Sequence, residues 1–229
     1  MKLSVVIPAY NAGRYIEAAI RSVTEQPAFP EDSEIIVIDD GSSDGTREIA
    51  ESLGAKVIMQ DHKGAACARN TGLTTAAGDF ILLLDADDLL ADGAAETFFA
   101  PFDSDPELQA VFTYAQEFFS EELTEEEKSG LKLKTEPYGG TLPGCSLLKK
   151  SVFDQIGLFD ETLHGGETVD WMVRFRSAGI KNMQKDTVTL KRRVHANNTG
   201  RLYRKNEMAN YAKILRAKIV AGKSDQKKS

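Results

Sequence analysis

The sequence predicts an α/β fold: a mostly parallel sheet flanked by helices, one domain with a C-terminal helical extension. Short apolar runs at Leu3–Ile7, Glu34–Ile38, Lys56–Met59 and Phe80–Leu84 alternate with amphipathic stretches, the pattern of βαβ units. These runs are rich in Val, Ile and Leu along their length, as in strands covered on both faces. Polar signatures follow three of the strand ends, where ligands gather in such sheets.

Taken in order, Leu3–Ile7 is a β-branched strand ended by Pro8. Over residues 14–25, Ile16, Ala19, Ile20 and Val23 share one helical face. Glu34–Ile38 is a second strand, stopped by Asp39-Asp40-Gly41. Ser42-Ser43-Asp44-Gly45 then supplies turn and capping chemistry for a helix with Ile49 and Leu53 on one face. Lys56–Met59 is a third strand, Ala65–Ala76 a helix closed by Gly78, and Phe80–Leu84 the fourth strand.

From about residue 104 the pattern changes. Ala110–Phe119 reads as a longer strand, and Ser120–Lys128, with five glutamates, as an exposed loop or short helix. Tyr138–Gly144 reads as a flexible loop able to shape a binding site. Leu147–Ile156 and Thr168–Ala178 read as helices, Thr187–Leu190 as a strand, and Asn206–Ala221 as a terminal amphipathic helix that packs on the body or on a second copy. The organisation expected is residues 1–205 as one domain (1–103 and 104–205 as its two halves), followed by a helix and basic tail at 206–229.

The chain of 229 residues, 41% hydrophobic, can bury a full core. Cys67 and Cys145 make no disulfide framework, the strand at Leu3 follows no basic or apolar stretch so that secretion is not expected, and no apolar run approaches a membrane span. A cytoplasmic protein is expected, or one peripheral to the inner face of the membrane. The net charge of −7 is uneven: residues 190–229 hold 12 Lys and Arg against Glu207 and Asp225, leaving −17 on the remainder. The basic tail suits anionic lipid or phosphate as well as a solvated helix face. The acidic body and the absence of interleaved aromatics argue against nucleic acid.

The chemistry-bearing feature is Leu84-Asp85-Ala86-Asp87-Asp88, a strand that ends on three carboxylates. Buried charges need a partner or a metal, and carboxylates suit Mg²⁺ or Mn²⁺, which keep waters and take substrate phosphates. A solvated turn with a capping aspartate is the plainer reading of the same residues. No G-x-G-x-x-G follows a strand and there is no P-loop, so neither a dehydrogenase nor a P-loop enzyme is expected. Nor does Pro8-Ala9-Tyr10-Asn11 form the Gly-rich basic loop of a nucleotidyltransferase.

Four segments, Val5–Asn11, Ile38–Thr46, Gly64–Leu73 (with Ala68-Arg69-Asn70) and Leu84–Asp88, together resemble the family-2 glycosyltransferases. The likeness runs from residue 3 to about 200. It implies the GT-A (Rossmann-like) fold and an inverting transfer of sugar from a nucleotide-sugar, most simply a UDP-sugar. By this resemblance Pro8, Ala9 and Tyr10 would line the nucleoside pocket, and Asp40 would accept from the uracil N–H. Lys63 and Arg69 would offset the diphosphate, and Asp85-Ala86-Asp87 would hold a divalent cation against it. Asp39 and Asp40 could equally serve turn and cap chemistry, and Arg69 a buried ion pair. Arg193–Asn198 resembles the family's late histidine motif, with His195 as a third metal ligand; a surface histidine is the alternative.

The family's base is an aspartate in a Glu-Asp pair, a position that here holds Thr168 within Gly166-Glu167-Thr168-Val169-Asp170-Trp171. Threonine is no base at neutral pH, so Asp170 or Glu167 is expected to act from a shifted position. A donor-binding protein with little or no transfer stays open. Trp171 is an acceptor platform or core. The acceptor implied is carbohydrate, lipid-linked or peptide.

Overall fold

In a computed structural model, residues 1–139, 143–163, 165–196 and 198 are described. The terminal helix expected at 206–221, the basic tail and Asn197 lie outside them. Sixteen elements follow in order: β1 (Leu3–Ala9), α1 (Ile16–Thr24), β2 (Glu34–Asp39), α2 (Thr46–Ser52), β3 (Lys56–Met59), α3 (Ala65–Thr75), β4 (Phe80–Leu83), β5 (Leu89–Leu90), α4 (Ala94–Ser104), β6 (Ala110–Phe119), α5 (Glu125–Gly130), β7 (Tyr138–Gly139), β8 (Ser146–Lys149), α6 (Ser151–Ile156), α7 (Glu167–Ser177) and β9 (Asn182–Val194).

They build one mixed sheet in the order β3-β2-β1-β4-β8-β6-β9-β5, with β7 paired to β6. The first four strands run parallel. Beyond β4 the sheet is mixed, for β8 lies antiparallel between β4 and β6 while β6 and β9 run parallel. Strand β1 shows why both faces are apolar. Leu3, Val5 and Ile7 join a core with Ile16, Ile20 and Phe98, while Val6 joins another with Leu73, Leu148 and Trp171. Helices α1, α2 and α4 therefore cover one face and α3, α6 and α7 the other, as in a doubly covered sheet.

The expected helix over 147–156 is corrected: its first part is the strand β8. Leu147 pairs with Leu82 on one side and Val111 on the other, and both Leu147 and Leu148 are buried. A slot between two apolar strands outweighs leucine's helix propensity. Tyr138 and Gly139, expected in a loop, pair with Ala115 and Tyr114. Helix α4 had no counterpart in the sequence reading, because Pro101 sits inside it and proline signals a break. Among the described residues no helix is long and apolar enough to cross a membrane.

Candidate active site

The parallel strands end together. Ala9 stands opposite Asp39, and Asp39 opposite Met59, so the segments after β1, β2 and β3 meet at one edge. The loops after β1 and β2 are laced to each other. Asn11, at φ 48°, takes the left-handed conformation that asparagine tolerates. Its Oδ1 accepts from Ser43 N (2.9 Å), and its own N–H donates to Ser42 Oγ (2.9 Å). Ala12 N donates to Thr46 Oγ1, and Gly13 N to Asp44 Oδ2. Asp44 also accepts from Thr46 N. Burial pushes its carboxyl up, but these hydrogen bonds outweigh it and hold the group below its ordinary value.

Asp40 is buried and its carboxylate is fully engaged. Oδ1 accepts from Gln60 Nε2 (2.6 Å) and Lys63 N (2.8 Å), and Oδ2 accepts from Gly64 N (2.9 Å) and pairs with His62 Nδ1 (2.9 Å). That set uses the roughly four acceptor positions a carboxylate offers. Asp40 thus fixes the 60–64 loop that presents Lys63, which is exposed. Tyr10, half exposed, stacks on His62 at 4.1 Å between centroids and 29°. Pro8 is half-buried at the end of β1 and Ala9 is buried beside it. His62 was not among the residues read from the sequence, since a lone histidine in a polar stretch carries no spacing signal.

Helix α3 lies close against β1. A Cβ on Gly72 would come within 2.2 Å of Val6 Cγ1, so only glycine permits the approach. One turn earlier, Arg69 is buried and bridges two acids: Nη2 to Asp85 Oδ1 and Nη1 to Glu167 Oε1, both at 2.8 Å. Burial works against its charge, but the two carboxylates outweigh that and push its proton affinity up. Arg69 Nε is buried without a hydrogen-bond partner among the described residues. Asp85, just past the end of β4, and Glu167, at the start of α7, are thereby joined through an arginine that lies 16 positions from the first and 98 from the second. Asp170 goes elsewhere. Its Oδ2 accepts from Arg174 Nε (3.0 Å), and Arg174 Nη2 donates to the Leu158 carbonyl (2.7 Å).

The other two acids of the strand end meet β9. Asp87 Oδ2 lies 2.9 Å from His195 Nε2 and accepts from Asn198 Nδ2 (3.3 Å). His195 is buried, not a surface residue. Asp88 is also buried and accepts from Arg193 N (2.8 Å). Burial, reinforced by the charges of Asp87 and Asp85, pushes the Asp88 carboxyl well above the usual range. Ala86, between the two acids, is buried. Trp171 is core: it is 4% exposed, packs on Phe153, Phe159 and Phe175, and donates Nε1–H to the Gly157 carbonyl.

Among the described residues no three His, Cys, Asp or Glu side chains converge closely enough to hold an ion unaided. The donor set still fits a hard divalent cation. Asp87 and His195 face each other and Asp85 Oδ1 sits on Arg69, and a cation such as Mg²⁺ or Mn²⁺ would need only one or two carboxylates from the chain, because it keeps waters and takes substrate phosphate.

Residues 4–157 match the family model described as glycosyl transferase family 2. A curated relative is the glycosyltransferase GlyG of Streptococcus pneumoniae serotype 4, 29% identical over 178 residues, covering 67% of this chain and 58% of the relative. Among solved structures, TarS residues 1–349 of S. aureus in complex with UDP-GlcNAc superposes with a TM-score of 0.69 at 20% identity, covering 87% of this chain and 60% of that one. The mannosyltransferase PcManGT of Pyrobaculum calidifontis, in complex with GDP-Man and Mn²⁺, gives 0.63 at 19%, covering 87% and 59%. This chain thus spans little more than half the length of each, and the sheet and its flanking helices are those of the GT-A fold.

Proposed function

This chain belongs to glycosyl transferase family 2, and from that premise we propose that it moves a sugar from a nucleotide-sugar, most simply a UDP-sugar, to an acceptor hydroxyl with inversion. The observation that carries the reading is Arg69, which ties the cation end of the crevice at Asp85 to the acceptor end at Glu167. A single displacement needs both ends in one place, with the leaving diphosphate on one side of the sugar and the proton acceptor on the other.

In this reading Tyr10, with Pro8 and Ala9, receives the base on the face not taken by His62. Asp40 orders the loop that brings Lys63 to the diphosphate, and a direct contact from Asp40 to the uracil N–H requires it to release one of its present donors. Asp87 and His195, with Asp85 beside them, would hold a divalent cation. Such a cation would supply Lewis-acid stabilisation of the negative charge on the leaving diphosphate. Arg69 adds positive charge where the leaving group gathers negative charge.

Glu167 is the proposed base, its Oε1 steadied by Arg69 and Oε2 taking the hydroxyl proton. Asp170, bound to Arg174, serves the packing of α7. The acceptor is a carbohydrate, a lipid-linked sugar or a peptide hydroxyl. The complex of TarS with UDP-GlcNAc and that of PcManGT with GDP-Man and Mn²⁺ support a nucleotide-sugar and a cation in this fold, while differing in the base.

The test is release of nucleoside diphosphate from UDP- and GDP-sugars with Mn²⁺ and a hydroxyl acceptor. Glu167→Gln is expected to cut turnover by about 10²-fold or more, the usual weight of a general base, with Asp170→Asn below about tenfold. The reverse order moves the base to Asp170. Donor binding with neither transfer nor hydrolysis establishes the second reading, a donor-binding protein, which Thr168 and the ion-paired state of Glu167 favour.

A further inference from the structure

We infer that Tyr15, anchored by Glu122, is a positioning residue that aims the His195 imidazole at Asp87; the inference rests on the cation role proposed for that pair. Tyr15 directly precedes α1 and its hydroxyl donates to Glu122 Oε1, a partner 107 positions away. The other carboxylate oxygen, Oε2, accepts from Ser120 Oγ, and Arg14 Nη1 lies 3.7 Å from Oε1. The acid that holds the phenol is thus itself held on both oxygens.

The Tyr15 ring lies 4.9 Å from the His195 imidazole at 36°. The Arg193 guanidinium sits 5.2 Å from the same ring and 4.8 Å from that of Phe118, and its Nε donates to the Asp87 carbonyl (2.9 Å). His195 N donates to Asn198 Oδ1 (2.7 Å). Asn198 thus holds the backbone of His195, and the Tyr15 ring packs beside the imidazole whose Nε2 meets Asp87 Oδ2. Tyr15 is half-buried and belongs to neither hydrophobic cluster. Packing alone does not account for a phenol tied to a carboxylate. Hydrogen-bonded partners that orient a metal ligand carry about 10–100-fold of affinity when lost, and a ring anchored against the ligand is set at the lower end of that range.

The test titrates Mn²⁺ into the full chain and follows the loss of the free-ion electron paramagnetic resonance signal. Tyr15→Phe, which keeps the ring and removes the anchor, is expected to weaken binding about tenfold, and Glu122→Gln to act in the same direction. In a His195→Ala background Tyr15→Phe should add nothing. In chelator the Tyr15→Phe midpoint should fall by about 3–12 °C, the loss of one hydrogen bond to a charged group, so Mn²⁺ binding is compared at a temperature where both are folded. As a readout without metal, the His195 ring protons should lose their ring-current shift in Tyr15→Leu and keep it in the parent. Parent-like Mn²⁺ binding by Tyr15→Phe, or an equal loss with and without His195, overturns the inference while leaving the cation site standing. Parent and His195→Ala binding Mn²⁺ alike removes the role of His195 itself, and the inference with it.

Discussion

Replacing Arg69 by methionine keeps most of the buried volume and removes the charge that Asp85 and Glu167 share. The Arg69 side chain is 7% exposed, Glu167 13% and Asp85 33%. Removing one partner of a buried ion pair costs about 3–5 kcal/mol, because the other is left as an uncompensated charge. Asp85, one-third exposed, can recover water, so the lower end applies and the loss is about 3 kcal/mol. For a chain of this size that is a fall of about 6–12 °C in midpoint, at 2–4 °C per kcal/mol. Urea denaturation followed by circular dichroism measures it directly. The triple variant Arg69→Met/Asp85→Asn/Glu167→Gln leaves no unpaired charge and should regain about half of the loss or more. A single variant within about 1 kcal/mol of the parent refutes the buried triad. So does a triple variant no better than the single.

Three further outcomes follow from the same geometry. Glu122 feels burial, which pushes it up, but hydrogen bonds from Ser120 and Tyr15 outweigh that and bring it from 4.5 down to about 2. A depressed folded value gives stability that is present above the unfolded value and lost as pH falls through the folded one. The gap in urea midpoint between parent and Glu122→Gln should therefore be full at pH 6 and narrow steadily from about pH 4.5 towards pH 2; a pH-independent gap refutes it. Gly72→Ala forces a methyl against Val6 and should cost about 1–3 kcal/mol by thermal melting, with Val6→Ala restoring part of it. Trp171→Ala should lower stability by about 3–5 kcal/mol, whereas an acceptor platform would instead raise the acceptor KM in a fold of unchanged midpoint.

What the sequence made legible was what is written locally. The strands Lys56–Met59 and Ala110–Phe119 were bounded to the residue, because short β-branched or aromatic runs between turn residues leave little choice. The convergence of Asn11, Ser42 and Asp85 towards one edge followed from topology alone, since parallel strands bring their carboxyl ends together. The errors lie where a distant element decides. Leu147 and Leu148 carry no strand signature and become β8 only because β4 and β6 offer a gap. Glu122 is one acid in a run of glutamates until Tyr15, more than a hundred residues away, reaches it.

The doubt left by Thr168 is of the second kind, and the structure changes its terms. Spacing in the sequence weighs Glu167 and Asp170 equally, as two acids on the first turn of one helix. Their partners separate them, because an arginine four residues along captures Asp170 within its own helix, while Arg69 of α3 draws Glu167 towards Asp85. Adjacent residues on a helix do not face each other, so an acid at 168 recreates the Glu-Asp pair in sequence while Glu167 keeps its own partner, Arg69. Thr168→Asp with Glu167 intact adds a second carboxylate on a different side of the first turn of α7. It should raise turnover only if the added group, rather than Glu167, reaches the acceptor hydroxyl. Steady-state rates for Thr168→Asp, alone and combined with Glu167→Gln, decide between them. Recovery of full turnover in the double variant would show that position 168 can carry the base, and that Glu167 substitutes for it in this chain.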